Sequence, residues 1–241
     1  MIRFCYAAGW AFAITLASTH AAGAPADEPR DFEFGTGLEA NLGWMLLDAP
    51  APSAFALPRS GSRAEVHGMS GLAMGAGVFV EGRLLSRIGL YVGAGYALET
   101  MSGELDVAGE TVDVDLEQPA LVMPALLQVF VRFGGITHFV AVGPELVVPL
   151  IPLAQTDPER RFPVAATAET HARLSVGWGA ELPLPFSAVD LRIPLAVLGT
   201  WNPSLGDELG ERVRVLPSDA VIYTVTPRFG VRLSLGAGIY F

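Results

Sequence analysis

Charged side chains recur at even spacings inside the apolar segments of this chain. Seven are carboxylates and six are guanidinium groups: Glu33, Glu39, Glu81, Glu99, Glu145, Glu181, Asp190, Arg83, Arg132, Arg173, Arg192, Arg228 and Arg232. Residues two apart on a β-strand point to the same side of the sheet. Because an isolated charge in a narrow interior is costly and the two signs are nearly balanced, we expect these groups to pair in one shared interior. The same residues would line the wall if that interior were a narrow pore.

The histidine and serine side chains do not form a second candidate site. His171 and Ser175 lie four residues apart, which is roughly 13 Å along a strand, so they cannot form a nucleophile–base pair there. His67 and His138 are far from both in sequence. Scattered histidines do not supply the clustered ligands that a zinc ion needs. We therefore expect no enzymatic activity, no catalytic residue, no metal site and no cofactor.

The segment 102–118 is acidic and contains no base. Its acids are Glu104, Asp106, Glu110, Asp113, Asp115 and Glu117, and apolar residues alternate with them around Ala108 and Gly109. We predict a hairpin that prolongs the two flanking strands. In this hairpin the lumen-side positions are apolar and the outward positions are acidic, the reverse of the flanking strands. A solvated charged face is the simple interpretation, and divalent-cation or ligand binding is the alternative.

The elements that position these residues are predicted to be strands. Eight segments alternate apolar with small or polar residues, which is the period of a strand. They are Phe32–Leu46, Ser70–Leu84, Ile88–Met101, Pro119–Phe133, Thr137–Val148, His171–Leu184, Val189–Trp201 and Ala220–Phe241. Pro124, Pro144, Pro194 and Pro227 fall inside them. Because each proline removes a ladder hydrogen bond, we expect bulges or bends at these positions.

The connections between the segments alternate in length. Residues 85–87, 134–135 and 185–188 form short connections, and residues 47–69, 102–118, 149–170 and 202–219 form long ones. We therefore predict an all-β fold: a closed, antiparallel, up-and-down transmembrane β-barrel of eight strands. Ten strands are the alternative, if 47–69 or 202–219 pairs within the membrane.

Composition supports strands rather than helices as the membrane-crossing elements. Hydrophobic residues make up 51% of the chain, and the mean hydropathy is +0.43. Past the N-terminus, no uninterrupted apolar run reaches the ~18 residues that a spanning helix requires. The net charge of −10 and the lack of a basic patch argue against nucleic-acid binding.

Aromatic residues of several segments form two sets. Phe32, Phe34, Phe133 and Phe241 fall at one predicted end of the strands. Trp44, Trp201 and Phe229 fall at the other end, at a separation close to the ~9–11 residues of a tilted spanning strand. We interpret the two sets as interfacial girdles.

The last segment ends on an aromatic residue. Counting back by twos from Phe241 gives Ile239, Ala237, Leu235 and Leu233, an unbroken apolar face. This ending and the strand pattern resemble the small eight-stranded outer-membrane β-barrels of Gram-negative bacteria, the group of the OmpA membrane domain, OmpX and OmpW. The resemblance implies that Phe241 and Ile239 form the signal read by the barrel-assembly machinery. It also implies a monomer surrounded by outer-membrane lipids and lipopolysaccharide.

The expected organisation and role follow from the same resemblance. Arg3 and the apolar stretch 7–17 indicate a signal peptide over residues 1–26, cleaved near 23–26, and residues 27–241 then form a single barrel domain. We expect a structural or surface-interaction role with a salt-bridged lumen. One alternative is a narrow porin-like channel for small solutes, and another is a lipid-A-modifying outer-membrane enzyme.

Overall fold

The computed structural model consists of β-strands, eight of which close into an antiparallel barrel. It describes residues 31–46, 53–58, 60–61, 63–66, 68–107, 109–133, 135–150, 153–155, 164–167, 169–184, 189–203, 213–215, 221–224 and 227–241. The strands are β1 (Phe32–Leu46), β2 (Ser53–Ala56), β3 (Arg63–Val66), β4 (Ser70–Leu84), β5 (Ile88–Val107), β6 (Glu110–Phe133), β7 (Ile136–Pro149), β8 (Leu153–Gln155), β9 (Val164–Thr167), β10 (His171–Leu184), β11 (Asp190–Trp201), β12 (Val213–Val215), β13 (Val221–Thr224) and β14 (Phe229–Tyr240). No helix in these ranges is long and apolar enough to cross a membrane.

The ring runs β1–β4–β5–β6–β7–β10–β11–β14, and β14 pairs back onto β1. Each of these eight strands has two antiparallel neighbours, so the ladder leaves no barrel strand with an open edge. The predicted closed barrel of eight strands is confirmed. The extra strands do not enter the ring: β2 and β3 continue from β5, and β8, β9, β12 and β13 form a separate four-stranded sheet.

The strand bounds follow the predicted alternation, with two informative differences. Strands β5 and β6 are longer than predicted because the acidic segment 102–118 continues their pairing as a hairpin. The last barrel strand is shorter than predicted and begins at Phe229 instead of Ala220. The reason is that Val221–Thr224 pairs in parallel with β9 in the separate sheet.

Two ends of the barrel can be distinguished by their connections. The turn end carries the short connections, including Leu85–Arg87, where the Arg87 N–H donates to the Leu84 carbonyl at 3.1 Å. The loop end carries β2, β3, the β5–β6 extension and the separate sheet. The predicted signal peptide over residues 1–26 and the histidine at position 67 lie outside the described residues.

The prolines interrupt the ladder without inserting a residue. Across Pro194, the pairs Arg192↔Gly238 and Leu195↔Leu235 keep the same offset, and only the two positions between them are unpaired. Pro124 on the β5 side and Pro144 on the β6 side behave in the same way. The expected bulges at these three positions are wrong: the missing N–H groups cost local hydrogen bonds but leave the register intact.

The outer face of the barrel is apolar across its full height. Leu38, Val129, Val140 and Leu233 are 66%, 50%, 53% and 50% exposed. Trp44 and Trp201 are exposed towards the loop end, and Phe133 is exposed at the turn end. A water-soluble protein of this size would not turn so many large apolar side chains outward.

The interior is filled by aromatic rings that lie over glycines. We call Phe79, Tyr91, Phe130 and Phe139 the aromatic layer; they pack with Leu126, Ala141 and Leu198 in one buried cluster. The rings of Phe79 and Tyr91 are 5.3 Å apart, and those of Phe130 and Phe139 are 5.6 Å apart. A Cβ atom added at Gly89 would lie 2.8 Å from the Phe130 ring, and one at Gly179 would collide with the Phe139 ring. Glycine on a neighbouring strand therefore provides the space for each of these rings.

We predict that Gly179→Ala destabilises the barrel by about 1–3 kcal/mol, because the Phe139 ring has to leave its rotamer. The measurement is chemical unfolding of the refolded protein in lipid vesicles. The control is Gly199→Ala, where the nearest atom to an added Cβ is the Val176 carbonyl oxygen at 3.6 Å, an ordinary contact. Equal stability of the two variants would contradict this packing argument.

Candidate functional site

The lumen charges separate into two networks on either side of the aromatic layer. The turn-end network comprises Glu33, Glu81, Arg83, Glu181, Asp190, Arg192 and Tyr240. The loop-end network comprises Glu39, Glu99, Glu145, Arg173, Arg232 and Ser234. All of these residues occupy the alternate positions of their strands that face the lumen. The closed ladder therefore brings together groups that are distant in sequence.

Arg83 is the centre of the turn-end network. It is 2% exposed, and its Nε donates to Glu81 while both Nη atoms donate to Glu181, through Nη1 at 2.8 Å. Its guanidinium carbon also lies 4.0 Å from the centroid of the Phe130 ring and 4.7 Å from that of Tyr240. A planar guanidinium group suits this position because it binds two carboxylates in its plane and stacks on rings with its faces.

Arg192 extends the network towards the turn end. Its Nη1 lies 3.1 Å from Glu33 and 3.7 Å from Glu181, and its Nη2 lies 2.6 Å from Asp190. The Tyr240 hydroxyl donates to Glu81 at 3.2 Å, and the ring of Tyr240 stacks against Arg192. Four carboxylates thus share two guanidinium groups and one phenol.

The loop-end network is built around Glu145, which is fully buried. Arg232 lies 2.7 Å from its Oε1, and the Arg173 Nε lies 3.5 Å from its Oε2. Arg173 also donates to Glu99 at 3.4 Å. Glu39 is held differently, because it accepts hydrogen bonds from the hydroxyls of Tyr91 at 2.6 Å and Ser234 at 3.2 Å.

The structure brings eleven of the thirteen predicted lumen charges into these two networks. The other two are Arg132, which is exposed at the end of β6, and Arg228, which precedes β14 with its guanidinium carbon 5.6 Å from the Phe229 ring centroid. Within the two networks themselves, seven carboxylates accompany four guanidinium groups.

Several residues of the site did not follow from counting charges alone. Tyr91, Tyr240 and Ser234 hydrogen-bond directly to the carboxylates, and the aromatic layer separates the two networks. The signal that could have found them is even spacing from a charged residue, which puts two side chains on the same side of a strand. Phe79 lies two residues from Glu81, and Tyr240 lies eight residues from Arg232. Large rings on the polar side of a barrel strand indicate a filled interior.

The remaining candidates lie apart from the networks or in water. His171 is half-buried at the loop end, with its Nδ1 3.0 Å from the Glu169 carbonyl oxygen. Ser175, four residues further along β10, is buried. In the β5–β6 hairpin, Glu104, Asp113 and Asp115 are exposed. Within the described ranges, no group of three or more His, Cys, Asp or Glu residues could hold a metal ion.

Comparison with solved structures finds several chains that are similar to this one. The outer membrane protein OprG from Pseudomonas aeruginosa aligns with this chain over 87% of this chain and 95% of its own, with 10% sequence identity and a TM-score of 0.36. No protein-family model matches the sequence, and no curated protein matches it. The closed eight-stranded antiparallel architecture rests on the strand pairing itself.

We predict that Arg83→Met destabilises the barrel by roughly 3–5 kcal/mol, because two buried carboxylates lose their shared counter-charge. The matched control is Arg132→Met, which removes an exposed guanidinium and should change the stability by about 0.5 kcal/mol or less. Unfolding of both variants in lipid vesicles measures the difference. A turn-end network without structural importance would make the two variants equal.

Proposed function

We propose that this chain is an integral outer-membrane β-barrel protein with a structural or surface-interaction role. The observation that carries the proposal is the combination of a closed ladder and an apolar exterior: every barrel strand is paired on both sides, and residues such as Leu38 and Leu233 face outward. In lipid, a sheet has to satisfy its backbone groups internally, and closure is the way to do so.

A filled lumen favours this role over a channel. Arg83 and Glu181 bridge the interior at the turn end, and Phe79 and Phe139 are 2% and 4% exposed at mid-height. An eight-stranded barrel is only wide enough for its own side chains. The part that remains available for recognition is the loop end, where the acidic face of the β5–β6 hairpin stands beyond the apolar band.

The proposal includes no catalytic step. His171 and Ser175 are separated along one strand, and the ring nitrogen Nδ1 of His171 contacts a backbone carbonyl. The proposed partners are lipids and lipopolysaccharide around the barrel and the assembly machinery at β14. Phe241 is consistent with the latter, because its N–H donates to the Phe34 carbonyl at 2.9 Å while its side chain remains 51% exposed.

Membrane embedding predicts a depth-dependent cost for an outward charge. We expect Leu38→Arg, near the middle of the apolar band, to lower the stability in lipid vesicles by roughly 2–4 kcal/mol. Ser102→Arg is the control, since it lies on the exposed side of β5 beyond the Trp44 level and should cost little. A Leu38→Arg variant as stable as the unchanged protein would contradict a lipid-facing exterior.

The filled lumen predicts electrical silence. We expect the mature protein, refolded into a planar bilayer and shown to be folded by heat-modifiable gel mobility, to give no unitary conductance steps. Stable steps from the unchanged protein would instead support the narrow-channel alternative and contradict the filled lumen.

A further inference from the structure

A small cavity lies in the lumen on the loop-end side of the aromatic layer. Its volume is about 40 Å³, and its lining includes Gly43, Ala73 and Ala97. Four members of the loop-end network also line it: Glu39, Glu99, Arg173 and Arg232. One water occupies roughly 10–15 Å³ of such volume, so the cavity has room for about three. We call this cavity the chamber.

Polar atoms on the chamber wall lack protein partners among the described residues. Asn41 Oδ1 is a buried acceptor without a donor, and the Arg232 Nε is a buried donor without a hydrogen-bonded acceptor. An unsatisfied donor and an unsatisfied acceptor around one space fit water, which provides both functions, better than an ion of either sign.

The charge around the chamber has a definite sign. Among the described residues of the loop-end network, three carboxylates (Glu39, Glu99 and Glu145) accompany two guanidinium groups (Arg173 and Arg232). The turn-end network has a larger excess of the same sign, with four carboxylates to two guanidinium groups. A water-filled path along this interior would attract cations and repel anions.

The aromatic layer divides the interior between the two networks. Phe79 lies next to Glu81 on the turn-end side, and the Tyr91 hydroxyl reaches Glu39 on the loop-end side. The cluster combines side chains of β4, β5, β6, β7 and β11, so it reaches across the barrel. Packed rings exclude the water that a permeating ion would need.

We infer that the lumen is a blocked cation path, in which a hydrated chamber at the loop end is closed by the aromatic layer. The inference rests on the proposed function, because it requires the barrel to be embedded in a membrane. It assigns the barrier to the rings of Phe79 and Phe139 and assigns the ion preference to the two networks.

Conductance of the variant Phe79→Ala/Phe139→Ala tests the barrier. We expect this variant to show unitary steps in a planar bilayer, with a reversal potential in a KCl gradient that indicates K⁺ over Cl⁻. The matched control is Phe133→Ala/Phe229→Ala, which removes two outward rings and should remain silent. A folded double variant that is silent, or that prefers Cl⁻, would overturn the inference.

A second measurement does not depend on the folding of that variant. Water–methyl cross-relaxation in the unchanged protein, refolded in deuterated detergent, should appear at the Ala73 and Ala97 methyl groups. It should be absent at the Leu126 methyl groups, which lie within the buried cluster. Dry methyl groups at both alanines would overturn the hydrated chamber. Failure of the protein to enter vesicles would instead contradict the proposed function. Unitary steps from the unchanged chain would contradict both the filled lumen and the blocked path.

Discussion

Closure of a sheet of eight strands is the constraint on which the rest of this structure depends. Once β14 pairs with β1, every second residue of each strand faces an interior about as wide as its own side chains. A charge there has no bulk water, and a cavity there lacks packing contacts. The ion pairs of Arg83, the rings of the aromatic layer and the inward glycines are different solutions to this one geometric condition.

The interior combines two kinds of packing that soluble proteins usually keep apart. Tyr91 stacks on Phe79 and donates its hydroxyl to Glu39, so one side chain belongs to both the aromatic layer and the loop-end network. Arg83 does the same at the turn end, with its edge on carboxylates and one face against Phe130. Satisfied hydrogen bonds and dense packing therefore support each other instead of competing for space.

Much of the fold could be predicted because the lipid face imposes a strict period of two on the sequence. The bounds of β1, β4 and β10 follow from that alternation alone. The alternation was less informative near the strand ends. Arg132 lies on the same side of β6 as the buried Gln128 but is exposed beyond the filled part of the lumen. The alternation of 221–224 also indicated a strand correctly, but a pattern within one segment cannot show whether its partner is β11 or β9. The chamber could not be predicted, since it depends on which inward positions are small at the same height on several strands.

Tyr240 and Arg83 join parts of the chain that are far apart in sequence, so the turn-end network exists only when the barrel is closed. The Tyr240 hydroxyl joins Glu81 across 159 residues of sequence, and Arg83 reaches Glu181 across 98. Contacts of such sequence separation carry the chain-entropy cost of closing long loops. Tyr240 reaches Glu81 because β14 and β4 pair with opposite sides of β1. The pairing of these buried groups and the pairing of the last open edge therefore depend on the same closed ladder. Ring closure and charge burial are in this sense one cooperative event, which makes a half-closed barrel both unpaired at its edges and electrostatically unfavourable in lipid.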